Sequence, residues 1–408
     1  MSIPVRPILS AMRCHPAGAM LVALQIALAV ALLANVAFIV KQRADKIDRP
    51  TGMDVENTFV VWSQGFAQTF NYTATMQEDL AYLRSLDGVV AATPMSHVPL
   101  GGSVFDADLS GRPRDRTNRT QADYYEVDHQ AIEALGLHLI AGRAFRPDEI
   151  LPPLDGHSQV TLVHGIIVTQ AFANALFPEG HALGRTVYNR EDAPMTIIGI
   201  VERMHGGWID WKYLDNAFLL PRLPTSAFGP RTYYVVRTRP GQRDRLGRSV
   251  EEHMSVSNPG RVVEEVRSLQ SYKDRGYRRD RNMGIFLLCV TGLLLMITSL
   301  GVFALATFNV STRVRQIGTR RALGARQRDI VFHFMTENWL IMAVGTFVGC
   351  PLALAGGIWL SREFQLPPLN AYFLAGTVVG LGVIGQLAAW QPARRAAAVS
   401  PAVATRTI

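Results

Sequence analysis

The chain has 408 residues, of which 48% are apolar and 18% are charged, and its mean hydropathy is +0.12. This composition is too apolar for a typical soluble enzyme and too polar for an all-helical channel, and it excludes disordered and collagen-like chains. The three cysteines, Cys14, Cys289 and Cys350, lie in or beside apolar segments. The large polar region therefore has no disulfide framework.

The first apolar segment covers residues 17–40 and follows a short basic segment, residues 1–16. At about 1.5 Å per helical residue it is long enough for a hydrocarbon core of roughly 30 Å. A cleaved signal peptide is the alternative, because two arginines precede the segment. The apolar stretch is longer than the apolar region of a usual signal peptide and offers only a poor cleavage sequence, so we predict a retained transmembrane helix.

Three further uncharged segments follow in the last third of the chain, at residues 284–308, 339–360 and 371–390. Each is long enough to cross a bilayer. A buried helix of a soluble protein could be equally apolar, but four such segments with arginines beside them favour membrane spans.

The arginines that flank these segments predict how the chain is oriented. Six lie in residues 309–338, and others lie in residues 1–16 and 391–408, whereas residues 41–282 carry 29 basic and 30 acidic side chains. By the positive-inside rule the three arginine-rich pieces are cytoplasmic and residues 41–282 form an extracytoplasmic domain. Because that domain is almost neutral, the basic pI of about 9.6 gives no reason to expect nucleic-acid binding.

Two strand, helix, strand patterns bracket the extracytoplasmic domain. They lie within residues 50–100 and 230–267, and residues 101–229 between them are rich in strand and turn signals, with a helix predicted at 170–176. We interpret the two patterns as halves of one α/β subdomain and residues 101–229 as a β-rich insertion. Coincidence between two short patterns is the alternative interpretation.

Motifs for catalysis are missing from the sequence. The ten histidines show no metal-binding spacing, no serine lies in a Gly-x-Ser-x-Gly elbow, and no cysteine lies in the polar domain. None of the four lysines is part of a Gly-Lys-Ser/Thr sequence, so we expect nucleotide to be bound by a separate chain.

The segment between the second and third spans is short, basic and punctuated by glycine. Ile317, Arg321 and Gly324 are spaced to lie along one side of a helix, and this pattern favours a ridge that enters a groove on another protein. Gly324 is expected to end the helix, and Asp329 to stabilise the start of the next one. A basic membrane anchor is the alternative, which explains the arginines but not the glycine and alanine spacing.

This segment resembles the corresponding loop of MacB/FtsX-like, or type VII, ABC transporter permeases. The loop residues that carry the resemblance are Arg313, Ile317, Gly318, Arg320, Ala322, Gly324, Ala325 and Ile330. Further similarity lies at Leu135-Gly136-Leu137, Ala141 to Phe145, Ala175-Leu176-Phe177, Leu183-Gly184-Arg185, Ile197 to Val201 and Pro392 to Ala397, with the tail ending near Pro401. The main departure from the family pattern is Gln316, which replaces the usual glutamate and puts a salt bridge from that position in doubt. Ala402-Val403-Ala404, in place of the usual Glu-Ala-Leu, is a milder difference.

The resemblance implies a membrane α-helical fold with four transmembrane helices and a large extracytoplasmic α+β domain, made of a porter-like α/β part and the β-rich insertion. It implies that residues 309–338 are a cytoplasmic coupling loop that binds a cognate ABC ATP-binding subunit. The coupling residues would be Arg313, Arg315, Ile317, Gly318, Arg320, Arg321, Ala322, Leu323, Gly324, Ala325, Arg328 and Asp329.

In this interpretation the chain is a non-catalytic subunit in the bacterial inner membrane. It binds no cofactor, and ATP and Mg belong to the ATP-binding subunit. A second permease copy, either identical or a sister chain, completes the transporter, and a periplasmic adaptor and an outer-membrane channel are further partners that the resemblance suggests.

The spans themselves lack ionisable residues, which argues against a polar conduit and favours mechanotransmission to the outer domain. Glu337 is expected at the membrane surface, paired with Arg326 or Arg328. Gly345 and Gly349, like Gly376 and Gly380, have the spacing of close helix packing.

The resemblance implies export of peptides, antibiotics or similar substrates from the periplasm. An FtsX-like regulatory transducer of a cell-wall hydrolase or signalling partner, and a membrane-anchored outer enzyme, are the alternatives.

Overall fold

The computed structural model describes residues 16–154, 163–224, 229–264, 266–364 and 367–398. It divides the chain into two compact units, one formed by Met1–Asp48 with Asp280–Ile408 and the other by Arg49–Arg279. Most of the basic leader and the end of the tail, with Pro401, lie outside the described residues.

The described residues of the first unit, called the helical unit here, include four long helices. Each is long and apolar enough to cross a membrane. They are α1 (Pro16–Ile47), α7 (Arg278–Thr312), α9 (Gln327–Phe364) and α10 (Ala371–Ala397), with the short helix α8 (Val314–Ala322) between α7 and α9. All four extend beyond the predicted apolar spans at one or both ends, and α10 does so only at its C-terminal end.

The core of the helical unit forms around α1. Val22, Ile26 and Val30, one turn apart, are buried against residues of the other three long helices. The side chains that complete this cluster include Val302 of α7, Ile341 and Met342 of α9, and Leu381 and Ala389 of α10. One face of α1 is therefore part of the core of the helical unit.

The second unit, called the outer unit here, is built on one twelve-stranded sheet. Its strands are β1 (Thr58–Gly65), β2 (Val89–Met95), β3 (Asp106–Leu109), β4 (Thr120–Val127), β5 (Leu139–Gly142), β6 (Gly165–Thr169), β7 (Thr186–Tyr188), β8 (Pro194–Val201), β9 (Ala217–Pro221), β10 (Arg231–Thr238), β11 (Arg261–Val263) and β12 (Arg267–Ser268). The main order is β11-β1-β10-β2-β4-β9-β6-β8-β5, with β3, β7 and β12 paired to β4, β8 and β1.

Both predicted strand, helix, strand patterns are confirmed at the level of their elements. The first is β1, α2 (Tyr72–Ser85) and β2, and the second is β10, α5 (Arg243–Ser257) and β11. They are interleaved, because β10 lies between β1 and β2 and pairs with both in antiparallel fashion. The apolar faces of α2 and α5 cover the sheet and bury Phe59, Leu83 and Val250 in one core.

Residues 101–229 have a second core around Ile166, Phe172 and Phe218. The helices of this region are α3 (Ala131–Leu135) and α4 (Gln170–Leu176), and the range of α4 matches the prediction. Its strands continue the first sheet, since β4 pairs with β2 at Met95 and Val127. The insertion therefore has its own core but shares the sheet.

A short helix, α6 (Leu269–Gly276), lies near the C-terminal end of the outer unit. Its N-cap is Ser268, whose hydroxyl accepts a hydrogen bond from the backbone N–H of Ser271. Such a cap satisfies one of the free N–H groups of the first turn. Buried Leu269 holds α6 against the sheet.

Candidate functional site

The candidate site is the helical hairpin formed by α8 and the first turns of α9. Gly324 has φ of +98° and follows the last residues of α8, where the backbone N–H of Ala325 donates to the carbonyl of Arg320 at 3.1 Å. Such a left-handed residue is the usual end of a helix and favours glycine. The predicted role of Gly324 as a helix terminator is confirmed.

Asp329 stabilises the start of α9. Its Oδ2 accepts a hydrogen bond of 3.1 Å from the backbone N–H of Arg326, the residue before the helix. A carboxylate in the first turn also complements the positive end of the helix dipole. This confirms the role predicted for Asp329, and it fixes a connection of only four residues, 323–326, between α8 and α9.

The inner side of α8 is buried in the helical unit. Ile317 packs with Ile330 and Phe334 of α9 and with Ala393 and Ala396 of α10, and Gly318 beside Ile317 is also buried. The structure therefore corrects the expected ridge, in which Ile317 shared a partner-facing side with Gly324. Ile317 and Gly318 face the chain itself because the apolar side of α8 covers α9 and α10.

The outer side of the hairpin is exposed and carries most of the predicted coupling residues. Leu323 at its tip is 84% exposed in the described chain. The other exposed coupling residues are Arg315, Arg320, Ala322, Gly324, Arg328 and Asp329, whereas Arg313, Arg321 and Ala325 are half-buried. The exposed surface of the hairpin is thus an apolar tip, Leu323, surrounded by arginines.

A buried ion pair fastens the start of α8 to α9. Nη1 of Arg313 donates to Oε2 of Glu337 at 3.0 Å, and Glu337 is only 3% exposed. The sequence prediction of a pair with Arg326 or Arg328 was wrong, because Glu337 points inward towards the end of α7 rather than outward along α9. Breaking a buried pair by removing one partner leaves an uncompensated charge, so the two residues hold each other in place.

Two polar residues that the sequence reasoning missed lie beside Glu337. Asn309 and Asn338 line the same cavity of about 20 Å³, which has room for one water molecule. The amide of Asn338 also donates to the carbonyl of Gly385 in α10 at 3.2 Å. Their signal in the sequence was weak, because asparagine at the edge of an apolar segment is common.

A shallow pocket of about 60 Å³ opens beside the ion pair. It is lined by Arg313, Gln316, Arg320 and His333 over an apolar floor that includes Ile317 and Phe334. Gln316, the residue that departs from the family pattern, therefore lies at a concentration of positive charge without adding a carboxylate to it. An acidic group from outside could bind at this point.

The two glycine pairs behave differently. A Cβ at Gly345 or Gly349 would lie 2.7 and 2.8 Å from the carbonyl oxygens of Ala23 and Ala27, so these glycines let α9 approach the backbone of α1. At Gly376 and Gly380 of α10 a Cβ would meet nothing within 4 Å in the described chain.

A second charged cluster closes the other end of the helical unit. Asp280 at the start of α7 is buried and pairs with Arg43 and Lys46 of α1, with 3.0 Å between Lys46 Nζ and Asp280 Oδ2. The sequence reasoning did not identify this cluster, because its residues lie 234 or more positions apart.

Two family models match the chain. The MacB-like periplasmic core domain matches residues 19–252, and the FtsX-like permease C-terminal domain matches residues 288–401. The chain belongs to the MacB/FtsX-like permease family. The predicted family and fold class, four membrane helices with a large extracytoplasmic α+β domain, are confirmed.

Individual relatives of this permease are ABC exporters. It is 26% identical over 298 residues to the macrolide export ATP-binding/permease protein MacB of Chromobacterium violaceum, covering 71% of this chain and 44% of the relative. It is 28% identical over 239 residues to the pyoverdine export ATP-binding/permease protein PvdT of Pseudomonas aeruginosa, covering 56% and 35%. The chain spans about half the length or less of the curated relatives it matches.

Solved structures of extracytoplasmic domains are also similar to this permease. The periplasmic region of MacB from Actinobacillus actinomycetemcomitans aligns at 15% identity and a TM-score of 0.34, covering 57% of this chain and 97% of that one. The extracellular domain of YknZ from Gram-positive bacteria aligns at 16% identity and a TM-score of 0.31, covering 50% and 99%.

Proposed function

We propose that this chain is the permease subunit of an ABC exporter in the bacterial inner membrane, and that it transmits the motion of a cognate ATP-binding subunit to its own extracytoplasmic domain. The arginine-rich pieces are then cytoplasmic and the outer unit is periplasmic. The observation that carries this proposal is the divided surface of α8, which is buried on one side and exposed at Leu323 on the other.

The hairpin is well suited to transmit force because it is fastened at several points. The apolar contacts of Ile317 tie α8 to α9 and α10, and Arg313 ties its start to buried Glu337. A partner that displaces α8 must therefore move α9 as well, since only four residues connect the two helices. Ile317, Gly318 and Glu337 act in this proposal as positioning residues behind the contact surface.

The ATP-binding subunit is expected to offer an apolar groove to Leu323 and a carboxylate to the pocket of Arg313, Arg320 and His333. In the part of the chain that the structure describes, the Arg320 guanidinium has no ion-pair partner. Arg313 is already paired with Glu337, and Gln316 supplies no negative charge where the family has glutamate, so a carboxylate from the partner would meet the charge of Arg320.

ATP and Mg are assigned to the partner subunit. None of the four lysines of this chain has a Gly-Lys-Ser/Thr sequence around it, so the 408 residues contain no phosphate-binding loop of that kind. The export of peptides, antibiotics or similar molecules from the periplasm is supported by relatives that are named as macrolide and pyoverdine export proteins.

The coupling assignment can be tested by reconstituting this chain with its ATP-binding subunit and measuring ATP hydrolysis. We expect Leu323→Asp to reduce ATPase stimulation at least tenfold, because an exposed charge cannot enter an apolar groove. Val256→Asp is the matched control, since Val256 is also largely exposed but lies on α5 of the outer unit. Equal stimulation by both variants and the wild type would show that α8 is not the coupling element.

A second permease copy is proposed to cover the open side of α10. Replacing Gly376 with cysteine, in a chain whose native cysteines are changed to serine, should give a crosslinked dimer after mild oxidation. The same change at Gly345 should give none, because α1 occupies that side. A dimer from both variants, or from neither, would contradict this arrangement.

A further inference from the structure

A polar pocket of about 250 Å³ lies on the outer unit, apart from the coupling hairpin. Its floor is the face of the sheet opposite α2 and α5, where Trp62 of β1 is paired directly with Tyr233 of β10. Tyr272 of α6 forms one wall, and the loop of residues 97–103 forms another. None of the features assigned to coupling occupies this pocket.

The loop wall is rigid because one buried carboxylate organises it. Asp123 is 0% exposed, and its Oδ1 accepts from the backbone N–H of Phe105 at 2.9 Å, with His97 Nε2 at 3.1 Å. Its Oδ2 accepts from the Tyr125 hydroxyl and the backbone N–H of Gly207, both at 2.7 Å. Four partners fully satisfy this charge, and removing any one would leave a costly buried group.

The same loop holds strained and close-packed backbone. Leu100, a buried non-glycine residue, has φ of +64°, a conformation that ordinary residues adopt only when their surroundings impose it. A Cβ on Gly207 would lie 1.6 Å from the carbonyl oxygen of Ser103. The backbone N–H of Gly102 donates to the carbonyl of Gly207 at 2.9 Å and closes the loop. The pocket is therefore preorganised.

Opposite charges line the pocket without neutralising each other fully. Among the residues that the structure describes, neither the Arg231 guanidinium nor the Glu264 carboxylate has a hydrogen-bond or ion-pair partner. Burial raises the pKa of the Tyr272 hydroxyl, opposed by nearby Arg267 and reinforced by Glu264. Arg231 and Glu264 thus line one small pocket beside an aromatic hydroxyl, together with Arg267.

The aromatic lining sets the size and kind of occupant. Trp62, Tyr233 and Tyr272 are half-buried and present flat ring surfaces that suit an apolar or planar group. The volume is below the range of about 300–1,000 Å³ typical of drug-sized ligands. An occupant the size of a single amino acid fits this space better than a macrolide does.

We propose that this pocket binds a zwitterionic, amino-acid-like ligand. Its carboxylate pairs with Arg231, its ammonium group pairs with Glu264, and its side chain packs between Trp62, Tyr233 and Tyr272. This is a ligand site of the outer unit and does not depend on the coupling function, because binding needs neither ATP nor the ATP-binding subunit.

Calorimetric titration of the full chain in lipid nanodiscs tests the proposal, with L-phenylalanine, its N-acetyl form, its amide and the doubly blocked compound as probes. We expect saturable binding of the free amino acid and at least tenfold weaker binding when either end is blocked. Arg231→Gln should weaken the binding of free L-phenylalanine at least tenfold, so that it binds no more tightly than the amide. In Glu264→Gln, free L-phenylalanine should bind no more tightly than its N-acetyl form.

Arg239→Gln is the control, because Arg239 is an exposed arginine of the same unit outside the pocket. The blocked compounds test the wild-type chain directly, so the result does not rest on variants that fail to fold. No saturable binding of free L-phenylalanine, L-leucine or L-lysine up to about 10 mM would overturn the proposal. Equal binding of free and blocked forms would overturn it too.

Discussion

The four long helices form two pairs that differ in how much of their surface the chain covers. In the most apolar stretches of α1 and α9, 44% and 33% of the residues are buried, against 11% in α7 and 17% in α10. Glycines explain the first pair, because Gly345 and Gly349 bring α9 against the carbonyl groups of α1. The Asn35 amide adds a hydrogen bond of 2.9 Å to the carbonyl of Ala353.

The second pair is held by fewer close contacts. The amide of Gln25 in α1 donates to the carbonyl of Ile297 in α7 at 2.8 Å, and the Asp280 cluster ties the start of α7 to α1. Helix packing in lipid depends on close approach and on hydrogen bonds rather than on the hydrophobic effect. We infer that α1 and α9 form a stiff spine, whereas the open faces of α7 and α10 are left for lipid or another subunit.

The largest expected effect comes from breaking the close pair. Gly349→Leu places a side chain where even a Cβ would lie 2.8 Å from the Ala27 carbonyl oxygen, so α9 must move away from α1. Overpacking of this kind costs about 1–3 kcal/mol of unfolding free energy, occasionally more. Cys350 packs against the core around α1. In a chain whose Cys14 and Cys289 are replaced by serine, Gly349→Leu should make Cys350 react with a thiol-specific dye at a lower temperature than in the parent chain.

Gly380→Leu is the matched control on the loosely packed pair. A Cβ at Gly380 meets nothing within 4 Å among the described residues, and the helix gains up to about 1 kcal/mol from the better propensity of leucine. The control should label Cys350 at the same temperature as the parent or a higher one. If Gly380→Leu destabilised the unit as much as Gly349→Leu, the two helix pairs would not differ in the way described.

The next effect concerns the ion pair between Arg313, at the start of α8, and Glu337 of α9. Glu337→Ala leaves Arg313 without its partner beside the apolar cluster of α8, and loss of one member of a buried pair costs up to about 3–5 kcal/mol when both charges are fully buried. Because Arg313 is 18% exposed, we expect about 1–2 kcal/mol, a cost reduced by solvation of the free arginine.

The exchange Arg313→Glu with Glu337→Arg should restore part of this loss in the same dye-labelling assay. Arg328→Ala is the control, because Arg328 is exposed and does not pair with Glu337. Failure of the exchanged pair to exceed either single variant would mean that the two charges do not stabilise each other.

The sequence predicted those parts of the fold that depend on short-range patterns. The membrane helices, both strand, helix, strand segments and the ends of α8 and α9 follow from apolar periodicity, glycine and a capping carboxylate. The pairing of Glu337 could not be predicted this way. Arg313, Arg326 and Arg328 are three possible partners in the sequence, and only tertiary packing selects one of them. The Asp280 cluster and the interleaving of β10 between β1 and β2 depend on contacts between distant residues.

A smaller effect is expected from the hydrogen bond between α1 and α7 than from the close packing of α9 on α1 at Gly345 and Gly349. Gln25→Leu removes the donor to the Ile297 carbonyl while keeping a side chain of similar length. Hydrogen bonds between membrane helices average about 0.6 kcal/mol, so the labelling temperature of Cys350 should fall only slightly. Gln386→Leu on α10 is a control for the loss of a polar residue elsewhere, and a fall as large as that of Gly349→Leu would show that α7 belongs to the spine.

The smallest effect is expected from the ion pair of Arg143 and Glu149 in the outer unit, which is more exposed than the pair of Arg313 and Glu337. Arg143 holds the pKa of Glu149 down to about 2, with 2.8 Å between Arg143 Nη1 and Glu149 Oε2, although both side chains reach solvent. A carboxyl whose folded pKa is depressed contributes stability that is fully present above its unfolded pKa, near 4.5, and is lost as the pH falls through about 2. Glu149→Gln should therefore lower the thermal midpoint of the outer unit slightly near neutral pH, and the difference from wild type should vanish near pH 2. Glu202→Gln, in the exposed pair with His138, serves as the control, and a difference for Glu149→Gln that persisted unchanged in acid would show that its carboxylate is not what stabilises this turn.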